Sequence, residues 1–190
     1  MNACIDISKK TLETKDLLLR PFAENDLLDF YAYASIQGVG EAAGWKHHES
    51  LEESKKILDF FIKEKKVFAI VDKLTHKVIG SLGIEKYKEE LLPELSMLKG
   101  REIGCVLAKD YWGRGLMPSA VARVISYLFS EEQLDFIVYS HFEENIRSKR
   151  VCEKNHFRFI KPFISQTSLG VKKPSYLYIL FKEDWANEKI

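Results

Sequence analysis

The segment Trp112-Gly113-Arg114-Gly115-Leu116-Met117-Pro118 sets two glycines, an arginine and a proline between an apolar run and a long helical pattern. Such a turn can aim several main-chain N–H groups at one anion, because glycine allows close approach and left-handed dihedrals. A helix starting there adds unpaired N–H groups and the positive end of its dipole. Chemically, the segment reads as a cradle for a pyrophosphate. Its spacing is not Gly-x-Gly-x-x-Gly and no Gly-Lys-Ser/Thr follows, so neither the dinucleotide fingerprint nor the P-loop is matched. An ordinary strand-to-helix turn, with glycines serving only their dihedrals, has the same local sequence.

Other reactive residue types are sparse. Cys4, Cys105 and Cys152 make no Cys-x-x-Cys pair and leave one over, which points to a reducing compartment and, by default, the cytoplasm. Cys105 sits in an apolar strand as a small core residue. His47-His48 lie side by side, and adjacent residues rarely bind one ion together, so no metal site is expected. His141 closes a strand and could titrate near neutrality, although a lone histidine there also serves structure; Tyr139, two residues earlier, reads as core.

These groups must be positioned by an alternating α/β chain. Glu102 to Ala108 has strand composition, and from Pro118 to about Ser130 the residues Val121, Val124, Ile125, Leu128 and Phe129 recur with helical spacing. Pro118 suits the first helical position. Further strands are expected at Leu17 to Arg20, Val67 to Asp72, Val78 to Ile84, Phe136 to Ser140, Arg158 to Ile164 and Tyr176 to Phe181. Helices are expected at Glu24 to Ala34, from the Ser50-x-x-Glu53 capping pattern to about Lys65, and at Asn145 to Asn155. Asn145 suits an N-cap, and Asn155 is placed to supply a left-handed turn before His156. The Leu- and charge-rich stretch between Glu85 and Arg101 is too long for a hairpin; a substrate mouth, a second subunit or a core flap would each use its apolar residues.

Composition agrees with one soluble domain over 1–190. The 46% hydrophobic and 30% charged content of 190 residues is that of a globular chain, neither disordered nor membrane-bound. A formal net charge of +1 offers no general attraction to nucleic acid, so direct binding of DNA or RNA is not expected. Arg147, Lys149, Arg150 and Lys154 form a local basic cluster, suited to a solvated helix face or to a phosphate.

The glycine turn resembles the acyl-CoA loop of the GNAT N-acetyltransferase superfamily, whose pattern Gln/Arg-x-x-Gly-x-Gly/Ala falls here on Trp112-x-x-Gly115-x-Met117. Tyr111-Trp112-Gly113-Arg114-Gly115 is similar to the Tyr-Trp-Gly-Lys/Arg-Gly form of the ribosomal-protein N-acetyltransferase (Rim-type) branch, with Met117 where that branch has a small residue. Three more blocks carry the resemblance in order: Leu12 to Phe22, Phe68-Ala69-Ile70-Val71 with Val78 to Ile84, and Asn145-x-x-Ser148-x-Arg150-Val151-x-Glu153-Lys154.

The resemblance implies a mixed, twisted sheet of about seven strands with flanking helices. In it the strand before the loop and the strand after its helix run parallel and splay apart, admitting the pantetheine arm. It implies acetyl-CoA as co-substrate and an acetyl group moved to a primary amine, on a peptide N-terminus or a small molecule, by direct attack without a covalent acyl-enzyme. The cofactor would be held by Cys105, Val106, Leu107, Trp112, Gly113, Arg114, Gly115, Leu116, Met117, Ser119, Asn145 and Ser148. A backbone N–H near Val106 or Leu107 would polarise the carbonyl, Asn145 would bond the pantetheine amides, and Ser148 would protonate the thiolate.

Glu102, in Glu102-Ile103-Gly104-Cys105, matches the glutamate of the branch's Glu-Ile-Gly-Tyr block and is the leading base. A carboxylate that only positions the amine is the alternative. The base matters because a lysine amine, with pKa near 10.4, is far costlier to deprotonate at neutral pH than an α-amino group near 8. Acceptor choice lies in the loops at 36–48, 85–100 and 165–174, and an enzyme for a metabolite or antibiotic amine remains open. So do a non-catalytic acyl-CoA-binding regulatory domain and a homodimer through the 85–100 segment.

Overall fold

The computed structural model describes residues 1–187. In chain order the elements are β1 (Leu12–Glu13), β2 (Leu17–Pro21), α1 (Leu27–Ala34), α2 (Leu51–Glu64), β3 (Val67–Asp72), β4 (Val78–Glu85) and β5 (Gly100–Leu107). There follow α3 (Leu116–Ser130), β6 (Phe136–Phe142), α4 (Ile146–Lys154), β7 (Arg158–Gln166), β8 (Lys172–Phe181) and α5 (Lys182–Asn187). The strands form one mixed sheet in the order β1-β2-β3-β4-β5-β6-β8-β7.

The inner strands β3, β4 and β6 are buried from both sides, whereas the edge strand β7 is largely exposed, and the strand residues divide accordingly. In β3, Phe68 and Ile70 join the core beneath α3 and α4, whereas Val67, Ala69 and Val71 pack with α1 and α2. Period-two alternation explains the split, and burial on both faces explains why β3 is apolar throughout. In α3, Met117, Val121, Val124, Ile125, Leu128 and Phe129 are all buried along one helical stripe. Beyond β5, the α1/α2 face of the sheet is covered by the segment between β4 and β5. There Tyr87 and Leu92 bury against Phe136, Val138, Leu177 and Ile179.

The structure differs from the sequence reading in element ends, with β8 beginning at Lys172 rather than Tyr176 and a 3-10 turn at Glu24–Asp26 preceding α1, and in four further details. An eighth strand, β1, pairs Leu12 with Leu19 and Glu13 with Leu18; two residues are too few to show a period. α3 starts at Leu116 with Gly115 as its N-cap, so Pro118 is its third residue, still within the turn whose N–H groups lack helical partners. His156 itself takes the left-handed conformation after α4 (φ 59°), while Asn155 has φ −109°. α5 follows β8 directly and is too short to show a helical period.

The parallel pair β5/β6 positions the site. The two strands pair at Gly100–Phe136, Arg101–Ile137, Glu102–Val138 and Ile103–Tyr139, and then part. Past that point β5 keeps its partners in β4 through Leu107, and β6 keeps its partners in β8 through Phe142. Each strand is therefore held straight by its outer neighbour, and a slot opens between them.

Candidate active site

Two cavities meet in that slot. The first, of about 210 Å³, runs along β5 from Cys105, Val106 and Leu107 to Trp112, Gly113, Gly115, Leu116 and Met117 on one wall, and along Asn145, Arg147, Ser148 and Arg150 on the other. The second, of about 270 Å³, lies over the face of β5, β6, β7 and β8 and contains Glu102, Ser140, Ser165 and Ser175, roofed by Tyr87, Lys88, Leu91 and Leu92. Cys105, Tyr139, Asn145 and Ser148 line both. Anything that spans the shared wall can pass a group from one cavity to the other.

The glycine turn has the geometry of an anion cradle. Gly113 (φ 78°) and Gly115 (φ 76°) are both left-handed, and a Cβ on either would meet no protein atom within 4 Å. The open space beside them is the space a phosphate would need. Gly115 has no side chain with which to cap α3, so the first-turn amides of Leu116 and Met117 remain available to a ligand. The indole N–H of Trp112 donates to the Leu107 carbonyl (2.7 Å), anchoring the turn to the end of β5. The Arg147 guanidinium lies over the Trp112 ring, 3.8 Å from its centroid, so a cation from α4 stands beside the cradle, with Arg150 and Lys154 along the same cavity.

The Met117 side chain turns into the main core and is 8% exposed, so its bulk does not fill the cradle. Arg114 and Ser119 lie outside the cavity lining: Arg114 sits over the Tyr111 ring (4.9 Å), and Ser119 is exposed. The glycine turn, with Arg147, Arg150 and Lys154 along the cavity, fits a CoA diphosphate that main-chain N–H groups would hold and cations would flank.

At the shared wall three side chains form a chain of contacts. The Tyr139 hydroxyl is 3.0 Å from Ser148 Oγ and 3.0 Å from Cys105 Sγ. Burial raises the Tyr139 hydroxyl well above its ordinary pKa and pushes the Cys105 thiol up to about 11, so both keep their protons at neutral pH. Cys105 is thus a wall residue rather than a nucleophile. Sequence reading assigned Tyr139 to the core, and it is 1% exposed, but its hydroxyl reaches the site. A polar tip on an otherwise buried aromatic strand residue is a signal that alternation alone does not carry.

Glu102 is seated where β5 and β6 part, and it accepts a hydrogen bond from Ser140 Oγ. Burial raises its pKa above the ordinary carboxylate value; the Ser140 bond and the Lys88 charge oppose that rise. A carboxylate whose pKa is raised is a stronger base once ionised. Asn145 caps α4 by accepting from the Ser148 amide (3.1 Å), and its Nδ2 donates to the Ala42 carbonyl (3.0 Å). It therefore ties the 36–48 loop to the slot. His141 is buried with Nδ1 at 2.8 Å from the Phe142 carbonyl and its ring stacked on Tyr178; burial lowers its pKa. His47 and His48 turn to different partners, Glu41 and Ser54.

Comparison with known proteins agrees with this geometry. Residues 16–158 match the family model of the acetyltransferase (GNAT) domain. The chain is 26% identical over 152 residues to an uncharacterized N-acetyltransferase, YoaA, of Bacillus subtilis, covering 77% of this chain and 82% of that protein. Among solved structures, it superposes on the ribosomal-protein-S5-alanine acetyltransferase of Vibrio fischeri with a TM-score of 0.71 and 21% identity, covering 93% of this chain and 99% of the other. It superposes on the spermidine N-acetyltransferase of Vibrio cholerae, solved in complex with CoA and spermine, with a TM-score of 0.74 and 16% identity, covering 92% and 100%. This chain belongs to the GNAT acetyltransferase family and is an acyltransferase. The segment between β4 and β5, open to three placements from sequence, is a flap that roofs the second cavity.

Proposed function

We propose that the protein moves an acetyl group from acetyl-CoA, bound in the first cavity, to a primary amine entering through the second. The observation that carries this reading is the wall shared by the two cavities, with Glu102 on the acceptor side and Ser148 on both. Acetyl-CoA, when bound, supplies an activated thioester. The amides of residues 113–117 hold its diphosphate, and Arg147, Arg150 and Lys154 supply the positive surroundings.

The chain's own groups then divide the work. Glu102 takes a proton from the ammonium before attack, or from the amine nitrogen as its bond to the carbonyl carbon forms, directly or through a water molecule. Leu107 donates its N–H to the thioester carbonyl oxygen: Ala108 N–H is taken by the Ile79 carbonyl (2.8 Å), and amides alternate along a strand, so the Leu107 amide points to the edge that β6 has left. Ser148 gives a proton to the departing sulfur and recovers one from water reaching the open slot. Because a thiol has a pKa near 8.5, that proton contributes less than the base does. Holding amine and thioester on either side of one wall supplies orientation, which is itself a large share of the rate.

Acetyl-CoA turnover by the purified protein, followed as thiol release with a panel of amines, tests this reading. Amine-dependent release with acetyl-CoA binding supports it; binding without turnover on any amine would favour the regulatory-domain alternative. The similarity of the Vibrio fischeri and Vibrio cholerae enzymes, one named for an alanine of a ribosomal protein and the other for spermidine, shows that this fold alone does not choose the acceptor.

A further inference from the structure

The second cavity is the part of the molecule whose chemistry should select the acceptor, and its lining has a specific charge pattern. Among the described residues that line it, Glu102 is the single carboxylate and Lys88 the single cation. Glu85, close enough to raise the Glu102 pKa, has its own charge engaged by Lys66 Nζ at 3.2 Å. Lys88 stands exposed at the mouth, with its ammonium 5.8 Å from the centroid of the Phe163 ring. Around the two charges the walls mix apolar side chains, Leu91, Leu92, Val138, Phe163 and Leu177, with polar ones, His141, Gln166 and the hydroxyls of Ser140, Ser165 and Ser175, the last two bonded to each other at 2.6 Å. The volume of about 270 Å³ lies just below the range of about 300–1,000 Å³ usual for small-molecule sites, so the occupant is compact.

We propose, on the reading that this cavity receives the amine, that the acceptor is amino-acid-like: one amino group for Glu102, an apolar body for the walls, and one anionic group for Lys88. A polyamine has the wrong pattern. Its second ammonium would find no second carboxylate among the described lining residues and would face the Lys88 charge, and repulsion of that kind is how a site rejects a competitor. A peptide N-terminus supplies the amine and the body but has an amide where the anion would be. The free amino acid and its amide therefore separate the two classes.

The test compares L-leucine, L-leucinamide and spermidine as acceptors for the full-length protein and its K88E and K88R variants, with acetyl-CoA binding measured separately by calorimetry. With each rate referred to the concentration of free amine, because the amine of leucinamide is the less basic, wild-type kcat/KM for leucine should exceed that for leucinamide by about fivefold, the effect of a pair with one partner at the surface. Spermidine should trail leucine by about tenfold or more. K88E should bring the leucine-to-leucinamide ratio below one, and K88R should preserve it. Titration of the free protein with the same two ligands, followed by NMR, should give the same order of affinity without cofactor. A ratio near one in wild type, an unchanged ratio in K88E, spermidine as the best acceptor, or no binding of leucine would each overturn the proposal. Failure to bind acetyl-CoA, with leucine still preferred through Lys88, would instead overturn the acetyl-transfer reading and leave the cavity assignment standing.

Discussion

The two cavities are built in opposite ways. The first is walled by the end of β5, by Trp112 and the glycine turn and by α4, which begins at Ile146, and what it offers an anion is the turn's main-chain N–H groups. The second is made from side chains of β5, β6, β7 and β8, roofed by the flap before β5. Backbone amides are the same in every sequence, so a cradle built from them requires only that glycine stand where φ is positive. Side-chain pockets are rebuilt with each substitution. On the proposed reading, the fold supplies the cofactor half of the reaction and this particular sequence the acceptor half.

A substitution in one cavity should therefore leave the other's function intact, and Glu102→Gln offers the largest contrast. Removal of a general base lowers rates by about 10²–10⁴-fold. The variant should lose kcat to that degree while its acetyl-CoA affinity, by calorimetry, stays at the wild-type value. The wild-type rate should also fall as pH drops through the Glu102 pKa, because the base form is the active one, and burial sets that limb above the ordinary carboxylate range. A Glu102→Gln enzyme with an unaltered acid limb and an unaltered kcat would remove Glu102 from the mechanism.

Gly115→Val attacks the other cavity. The residue is left-handed with open space where a Cβ would go, so the cost is conformational rather than a clash with protein atoms. Placing an L-residue there costs about 1–2 kcal/mol, and more for a branched one; the free turn relaxes to escape that strain and must recover its shape to bind, a loss of about tenfold or more in acetyl-CoA affinity, to which a side chain standing in the phosphate's space would add. Circular dichroism would check that α3 persists. Wild-type affinity in a folded Gly115→Val protein would mean that the turn does not hold the diphosphate.

The shared wall should give an intermediate result. Ser148→Ala removes a proton donor to a leaving group that is already tolerable, so kcat should drop by about tenfold, with cofactor affinity little changed. Because the Tyr139 hydroxyl is 3.0 Å from Ser148 Oγ, the residual rate in the alanine variant measures what remains when that contact is lost. A loss as large as that of Glu102→Gln would make thiolate protonation, rather than amine deprotonation, the demanding step.

The contrast between the cavities also explains what the sequence reveals. Gly113, Gly115 and the Asn145-x-x-Ser148 block are contiguous and obey local rules of dihedral and cap, so their places in the structure agree with the reading from sequence. The strands β5 and β6 are legible from their apolar runs, but their parallel pairing and splay follow only from the resemblance across four blocks. The second cavity was not legible. Ser140, Ser165, Ser175 and Lys88 are drawn together only by the strand order β5-β6-β8-β7 and by the flap, which no window of sequence contains. Tyr139 escaped for a subtler reason, since its ring obeys the core pattern and only its last atom departs from it. Arg114 and Ser119, included by their place in the motif, lie outside the lining, because a loop that aims its amides inward turns some of its side chains out.

The smallest effect tests whether side chains add to the first cavity at all. The Arg147 guanidinium lies on the Trp112 ring at 3.8 Å and is exposed, an arrangement that contributes about 0.5–1 kcal/mol at a surface. Arg147→Ala should therefore weaken acetyl-CoA binding by a factor of about two to five, from the stack and the lost positive charge beside the diphosphate. The loss should shrink as salt is raised, since an exposed charge is screened, whereas the loss in Gly115→Val, set by backbone dihedrals, should not. If Arg147→Ala matched Gly115→Val in size and salt dependence, the cofactor would be held by side-chain charge rather than by main-chain amides, and the distinction between the two cavities would fail at its root.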